Sequence, residues 1–292
     1  MSVELGRALE SVRRRRQPGG GFGSRPSFSA EAGSTAWAAL ALAASGAARE
    51  DLHVSLAWLA RHQLPDGRIP LAPEQPDVIW PTPVAMLAWL AGRSNVDNVH
   101  KAAEFLLSHA GRHRPREPDS PVGHDTSLRG WPWVLGTHSW IAPTSLCVLA
   151  LCQAGYHSHP RIAEAVRMLL DRQLPGGGWN YGNTIVFGQT LRPFPDTTGA
   201  ALCALAGLTD RTSVLASLAY LEGILTRIRT PLSLGWGLLG LASWNVRPPS
   251  AGAWIEETLQ RERQLGPYDT SSLAVLLLAA CSPHGIGGRK EG

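Results

Sequence analysis

The sequence predicts an all-α protein, an α6/α6 toroid (α/α barrel) in which six helical hairpins close into a ring. Three observations carry this. A glutamine–glycine turn recurs at Gln17-Pro-Gly-Gly-Gly-Phe22, Gln63-Leu-Pro-Asp-Gly-Arg-Ile69 and Gln173-Leu-Pro-Gly-Gly-Gly-Trp179. Six small, apolar segments open on Thr or Ser, at Thr35, Thr82, Thr144, Thr197, Ser233 and Thr270, each with Leu or Val five residues on. The segments before them are amphipathic. Self-similarity of this kind marks a repeat architecture in which each unit buries its apolar face against its neighbours.

The individual elements follow from local chemistry. Leu56, Leu59 and Ala60 before Gln63, and Val166, Leu169 and Leu170 before Gln173, have helical spacing. The glycines after each glutamine end the helix and turn the chain. Charges such as Glu164, Arg167, Asp171 and Arg172 place these helices outside. The Thr/Ser-led segments are apolar all round, so they are inner helices buried on several sides. Pro81, Pro83, Pro143 and Pro231 fall at or near their starts, where proline's fixed φ is tolerated. The starts are 36 to 62 residues apart. The longest gap holds a Pro-, Gly-, His- and Arg-rich insertion over about 111–137, predicted to lie over one barrel mouth. No linker divides the chain, so 1–292 reads as one toroid domain, with 283–292 expected to be a disordered tail.

Composition narrows the function classes. A chain of 292 residues with 44% apolar residues can bury a large core. The net charge of +4 comes with no Lys/Arg stripe interleaved with aromatics, so nucleic acid is not an expected partner. The run Arg13 to Arg16 reads as a solvated face at a helix C-terminus, with a phosphate or lipid headgroup as the alternative. No segment reads as a signal peptide or a membrane span. Cys147, Cys152, Cys203 and Cys281 lie in apolar helical stretches without CxxC pairing. That usage suggests reduced, buried thiols and a cytoplasmic protein. His113, His124, Asp125 and His138 fall in the Pro-rich insertion, which offers no rigid spacing for a metal; the neighbouring arginines leave a basic lid over diphosphate or an acidic headgroup as one alternative to a plain surface loop.

The stretch Ala165-x-x-x-Leu169-x-x-x-Gln173-x-x-x-Gly177-x-Trp179 resembles the QW repeat of squalene–hopene and oxidosqualene cyclases. The copies at Gln17 and Gln63 resemble the prenyltransferase repeat. Gly130-Trp-Pro-Trp133 and Trp140 through Leu151 are similar to inner-helix segments of the same terpenoid cyclase and protein prenyltransferase superfamily. The resemblance implies an active site at the N-terminal mouth of the inner helices, and Trp179 bracing neighbouring hairpins. Class II cyclases carry a DxDD acid there; the matching Pro193-Phe-Pro-Asp196 keeps only its last Asp. Zinc prenyltransferases start the last inner helix on a His and carry Asp-x-Cys on the fifth; here those positions read Tyr268-Asp269-Thr270 and Thr230-Pro-Leu-Ser233. No Cys adjoins a His, as lanthionine-cyclase zinc sites require, and no Cys-Gly-Glu-Gln thioester run is present. No metal and no cofactor are expected.

The candidate acids are therefore Asp196 and Asp269, each just before a Thr at an inner-helix start. Asp is also a favoured N-cap, so each has a purely structural reading. Trp37, Trp80, Trp140, Phe194, Trp236 and Tyr268 are the candidate binding aromatics, through ring faces that would stabilise a carbocation; core packing accounts for them equally well. The expected ligand is a hydrophobic isoprenoid, and the superfamily's cyclases often touch membranes peripherally. A terpene cyclase-like enzyme leads. The alternatives are a non-catalytic toroid binding a hydrophobic ligand or partner, and a sugar hydrolase or lyase with paired carboxylates.

Overall fold

The computed structural model describes residues 2–117 and 120–287. Twelve helices alternate between two rings. The inner ring is α2 (Ala32–Ser45), α4 (Pro81–Ala91), α6 (Ile141–Gln153), α8 (Pro195–Leu205), α10 (Pro231–Ala242) and α12 (Thr270–Cys281). The outer ring is α1 (Val3–Arg13), α3 (Arg49–Arg61), α5 (Val96–Ser108), α7 (Pro160–Asp171), α9 (Arg211–Ile224) and α11 (Ala251–Leu265). Each inner helix packs on the next, and α12 packs on α2 to close the barrel. The fold class expected from the repeats is the one observed.

The repeat's residues have mechanical roles. Thr35, Thr82, Thr144 and Thr198 sit in the first turns of inner helices. Their hydroxyls accept the buried N–H of Phe22 (2.8 Å), Ile69 (2.9 Å), Trp131 (2.9 Å) and Trp179 (3.0 Å), the residues that end the preceding turns. In the fourth hairpin it is Thr198, not Thr197, that makes this bond. Each turn also leans on the next outer helix. Gln63 and Asn98 of α5 exchange hydrogen bonds, and Gln173 Nε2 donates to Ser217 of α9 (2.6 Å). Gly177, at φ 87°, lies so close to α9 that a Cβ there would stand 2.4 Å from Ala216 C. Trp179 is fully buried and its indole N–H donates to Leu169 O (2.6 Å) near the end of α7. Gly240 of α10 lets that helix touch α8, since a Cβ on it would meet Gly199 Cα at 2.6 Å.

Ring closure corrects the reading of the basic run. Arg15 is 1% exposed. Its guanidinium donates to Thr270 Oγ1 (3.1 Å) and Tyr268 O (2.8 Å) at the start of α12, and to Ser24 O (3.2 Å). Thr270 Oγ1 donates in turn to Gly23 O (2.6 Å). Arg13 and Arg16 both pair with Asp51 in the first turn of α3. The run is thus a clasp joining the first hairpin to both neighbours, with one cation buried because its two Nη groups donate to oxygens converging from two chain ends, its Nε alone finding no partner.

Beside the helices stands one short hairpin, β1 (Ile185–Val186) and β2 (Gln189–Thr190). Its tip residues Phe187 and Gly188 both have positive φ, as a two-residue primed turn requires. The expected disorder of 283–292 fails for residues 283–287: Ile286 is buried at the C-terminal end of the barrel, where Gln153 Nε2 donates to its carbonyl (3.0 Å). Residues 288–292 lie outside the described residues. The insertion is tied down by Leu135 N–H to Asp77 O (2.8 Å) and Gly123 N–H to Ile185 O (2.9 Å). No described helix is long and apolar enough to cross a membrane.

Thr144→Val keeps the shape of the side chain and removes the acceptor for Trp131 N–H, stranding a buried donor. Such a loss costs about 1–3 kcal/mol. Urea unfolding should show a lower midpoint with an unchanged m-value.

Candidate functional site

The N-terminal mouth of the barrel holds a cavity of about 380 Å³. All six inner helices reach it through their N-caps or first two turns: Trp37, Trp80, Leu146, Asp196, Trp236 and Ser271 each come from a different one. Trp37 and Trp236 meet edge to face at 5.7 Å and 87°. Trp80 and Trp133 do so at 6.2 Å and 78°. Edge-to-face contact is a preferred aromatic geometry and leaves ring faces turned to the space between them. Trp80 reaches its position because Gly33 of α2 has no Cβ, which would lie 2.2 Å from the indole ring. Trp133, Tyr181 and Leu232 are partly exposed at the rim.

One carboxylate, Asp196, lines this cavity. It occupies the second position of α8, behind Pro195. Two effects oppose each other there. Burial disfavours the ionised form, while the backbone N–H groups of Asp196 and Thr197 at the helix start favour it. Burial is the larger effect, and the carboxyl is held above its ordinary value of 3.8. The Tyr181 and Tyr220 phenols are pushed up as well, mainly by burial and in part by the Asp196 charge. The Thr197 hydroxyl is buried in the cavity wall without a hydrogen-bond partner. Thr198 beside it is used by Trp179, so Thr197 offers the free polar atom next to the acid.

Of the residues expected from sequence, the structure brings together Asp196, Trp37, Trp80 and Trp236. Asp269 does not line the cavity. It is the N-cap of α12, with its two oxygens accepting from Ser272 N (2.9 Å) and Ser272 Oγ (2.6 Å). Tyr268 donates its hydroxyl to Thr258 O of α11 (3.0 Å). Phe194 stacks on Tyr181 at 4.7 Å, one ring behind the wall. Trp140 caps α6 and lines a different, smaller cavity. Trp133 and Tyr181 are not among the binding aromatics expected from sequence, although Trp133 belongs to the Gly130-Trp-Pro-Trp133 stretch. Both stand two residues after a buried tryptophan, in Trp131-Pro-Trp133 and Trp179-Asn-Tyr181, and that recurring spacing was their one visible signal. Among the described residues, no three His, Cys, Asp or Glu side chains cluster as a metal would need.

No protein-family model matches the sequence, and no curated protein matches it. Solved structures do match in fold. A variant of the type II terpene cyclase MstE from Scytonema, bound to its substrate geranylgeranyl dihydroxybenzoate, superposes with a TM-score of 0.59 at 15% identity, over 96% of this chain and 98% of that one. The ent-copalyl diphosphate synthase from Streptomyces platensis gives 0.54 at 19% identity, over 91% of this chain and 52% of that one. Salmonella α2-macroglobulin gives 0.53 at 14% identity, over all of this chain and 18% of that one. The chain has the helical toroid of the terpene cyclases, and a protein of different function shares it; fold alone does not choose between chemistries.

The Asp196 carboxyl keeps its proton to higher pH in the native state than in the unfolded chain. Its ionisation therefore costs native stability as pH rises through the interval between the two values. Asp196→Asn has no such loss. Melting temperatures from about pH 4 to 8 should show the difference, variant minus wild type, growing with pH. A difference that shrinks with pH would mean that the site favours the ionised carboxylate.

Proposed function

We propose that the chain is a terpene cyclase-like enzyme that folds an isoprenoid hydrocarbon into the tryptophan-lined cavity and protonates it from Asp196. One observation carries the reading: a single carboxyl, biased by burial towards its neutral form, faces a cavity walled by aromatic rings. The volume falls within the ~300–1,000 Å³ of small-molecule sites. The solved terpene cyclases of the same fold, one of them bound to a geranylgeranyl substrate, make the isoprenoid class the natural ligand to test.

The chemistry is proton transfer to an alkene. The O–H bond of neutral Asp196 breaks as the alkene π pair forms a new C–H bond, leaving a tertiary carbocation and a carboxylate. Ring closure moves the cation along the chain by attack of successive π bonds. Loss of a proton from the final cation gives the cyclised alkene, and a proton from solvent restores Asp196. Apolar walls exclude water that would trap the cation, and the faces of Trp37, Trp80, Trp133 and Trp236 stabilise positive charge. A proton donor works best when its pKa approaches the operating pH, and desolvation moves Asp196 in that direction.

A specific observation also favours a second reading, in which the toroid binds such a ligand without turning it over. Asp196 has no neighbouring carboxylate in the cavity to tune it, unlike a DxDD acid. The sugar hydrolase alternative fits less well, because Asp269 caps its own helix and leaves Asp196 without an opposing carboxylate in the cavity.

Native mass spectrometry of copurifying lipid, followed by assays on polyprenyl diphosphates and squalene-like polyenes, separates the readings. Asp196→Asn should retain the ligand and lose about 10²–10⁴-fold in turnover. Wild type and variant that bind alike and are equally inert would leave the binding toroid. Protein that is empty and inert would sink both. Trp236→Ala should weaken ligand binding by about tenfold, the loss expected for one cation- or alkene-facing ring.

A further inference from the structure

A second cavity, of about 150 Å³, lies behind the first. The two share walls: Tyr181 and Ala142 line the aromatic cavity, whereas their neighbours Gly182 and Trp140 line this one. Its charged lining is of one sign. Arg112, Arg114 and Arg172 contribute guanidinium groups, His113, His124 and His138 contribute imidazoles, and among the described residues no Asp or Glu takes part.

Two of these side chains are buried beyond what the fold explains. Arg172 and His124 are each 6% exposed. Arg172 Nη1 donates to Ser139 O at 2.7 Å, but its Nε is buried without a partner, and no acceptor meets Nη2 among the described residues. His124 Nδ1 is likewise buried and unpartnered. The nearby carboxylates are engaged elsewhere: Asp125 accepts from Ser127 N (2.8 Å) and Oγ (2.6 Å), and Asp171 accepts from Asp125 N (2.8 Å). Both act on Arg172 through space, but neither forms an ion pair with it among the described residues. A buried guanidinium without a directly paired carboxylate is costly, and unsatisfied buried donors are rare in native proteins. A bound oxyanion removes both costs, through charge-assisted hydrogen bonds.

We infer that this cavity is a binding site for a phosphate-class oxyanion, held by Arg112, Arg114, Arg172 and His124. The inference stands apart from the isoprenoid reading, since the cavity is separate and the ligand is recognised by charge. Electrostatics agree with it. Burial, then the Arg172 charge, lowers His124 to about 4, and burial lowers Arg172 to about 10. An anion between the two would raise both values, because it favours the charged forms. The oxyanion can be free phosphate or the anionic end of a larger molecule, and the binding test has to separate these.

The test is calorimetric titration of the full chain with inorganic pyrophosphate and phosphate at pH 7, with chloride as the control. One-site binding is expected, weakened about tenfold or more by Arg112→Gln and by Arg172→Gln, and unchanged by Arg261→Gln on the exposed face of α11. Because Arg172→Gln also removes the tie to Ser139 and can compromise folding, His124→Gln supplies a second lining variant. The His124 ring signals of the wild type, followed by NMR, should titrate at higher pH with pyrophosphate than without. A folded protein that shows no pyrophosphate binding, or binding indifferent to all three lining variants, overturns the site. Geranylgeranyl diphosphate then identifies the source. Competition with pyrophosphate, relieved by Trp236→Ala, means a headgroup reaching from the aromatic cavity; absence of competition means a free ion.

Discussion

The barrel depends on how each chain segment leaving an outer helix is tied to the inner helix it is about to form. That segment must bury an apolar side chain, Phe22, Ile69, Trp131 or Trp179, and its backbone N–H is buried with it. A threonine hydroxyl in the first turn of the inner helix accepts each of these N–H groups at 2.8–3.0 Å. Threonine suits this position because its methyl packs in the core while its oxygen serves as acceptor, and it also donates back to the chain, as Thr35 does to Glu31 O (2.7 Å). The bond sets the depth at which four of the six inner helices start, α2, α4, α6 and α8. With those starts level, the six N-termini converge on one mouth, and the residues just inside them become the walls of a cavity.

The tryptophans divide along the same line. Trp89, Trp131, Trp179 and Trp244 are buried, and each indole N–H donates to a carbonyl of a neighbouring helix: Leu56, Leu106, Leu169 and Leu202. They brace the hairpins. Trp37, Trp80, Trp133 and Trp236 have no such bond and face the cavity in edge-to-face pairs. A buried tryptophan normally finds a partner for its N–H. Of the buried tryptophans, the two that find none, Trp37 and Trp236, are turned towards the cavity.

The architecture was legible because its repeat is redundant: glutamine turns and six apolar segments agree on one hairpin plan despite spacings of 36 to 62 residues. Sites at single positions were less legible. Two consecutive threonines at 197 and 198 leave the register of the fourth inner helix open, and the structure gives Thr198 to the turn and Thr197 to the cavity. Four consecutive arginines look like a surface, yet ring closure buries Arg15, a contact between residues some 255 apart that no local pattern contains. Asp196 and Asp269 looked alike before their threonines. They differ because Pro195 places Asp196 inside the helix, where its oxygens are not needed as a cap, while Asp269 sits one step outside and caps the helix through Ser272.

That two-residue offset matters for the chemistry of the mouth. An N-cap carboxylate is stabilised in its ionised form by the N–H groups it accepts from, and it makes a poor acid. Two positions further in, the same side chain lines the apolar cavity, and desolvation outweighs the helix-terminal N–H groups. Pro195 serves this arrangement twice: its φ suits the first helical position, and having no N–H it demands no cap. The helix therefore starts without using its acid, which leaves the carboxyl of Asp196 free to face the aromatic cavity.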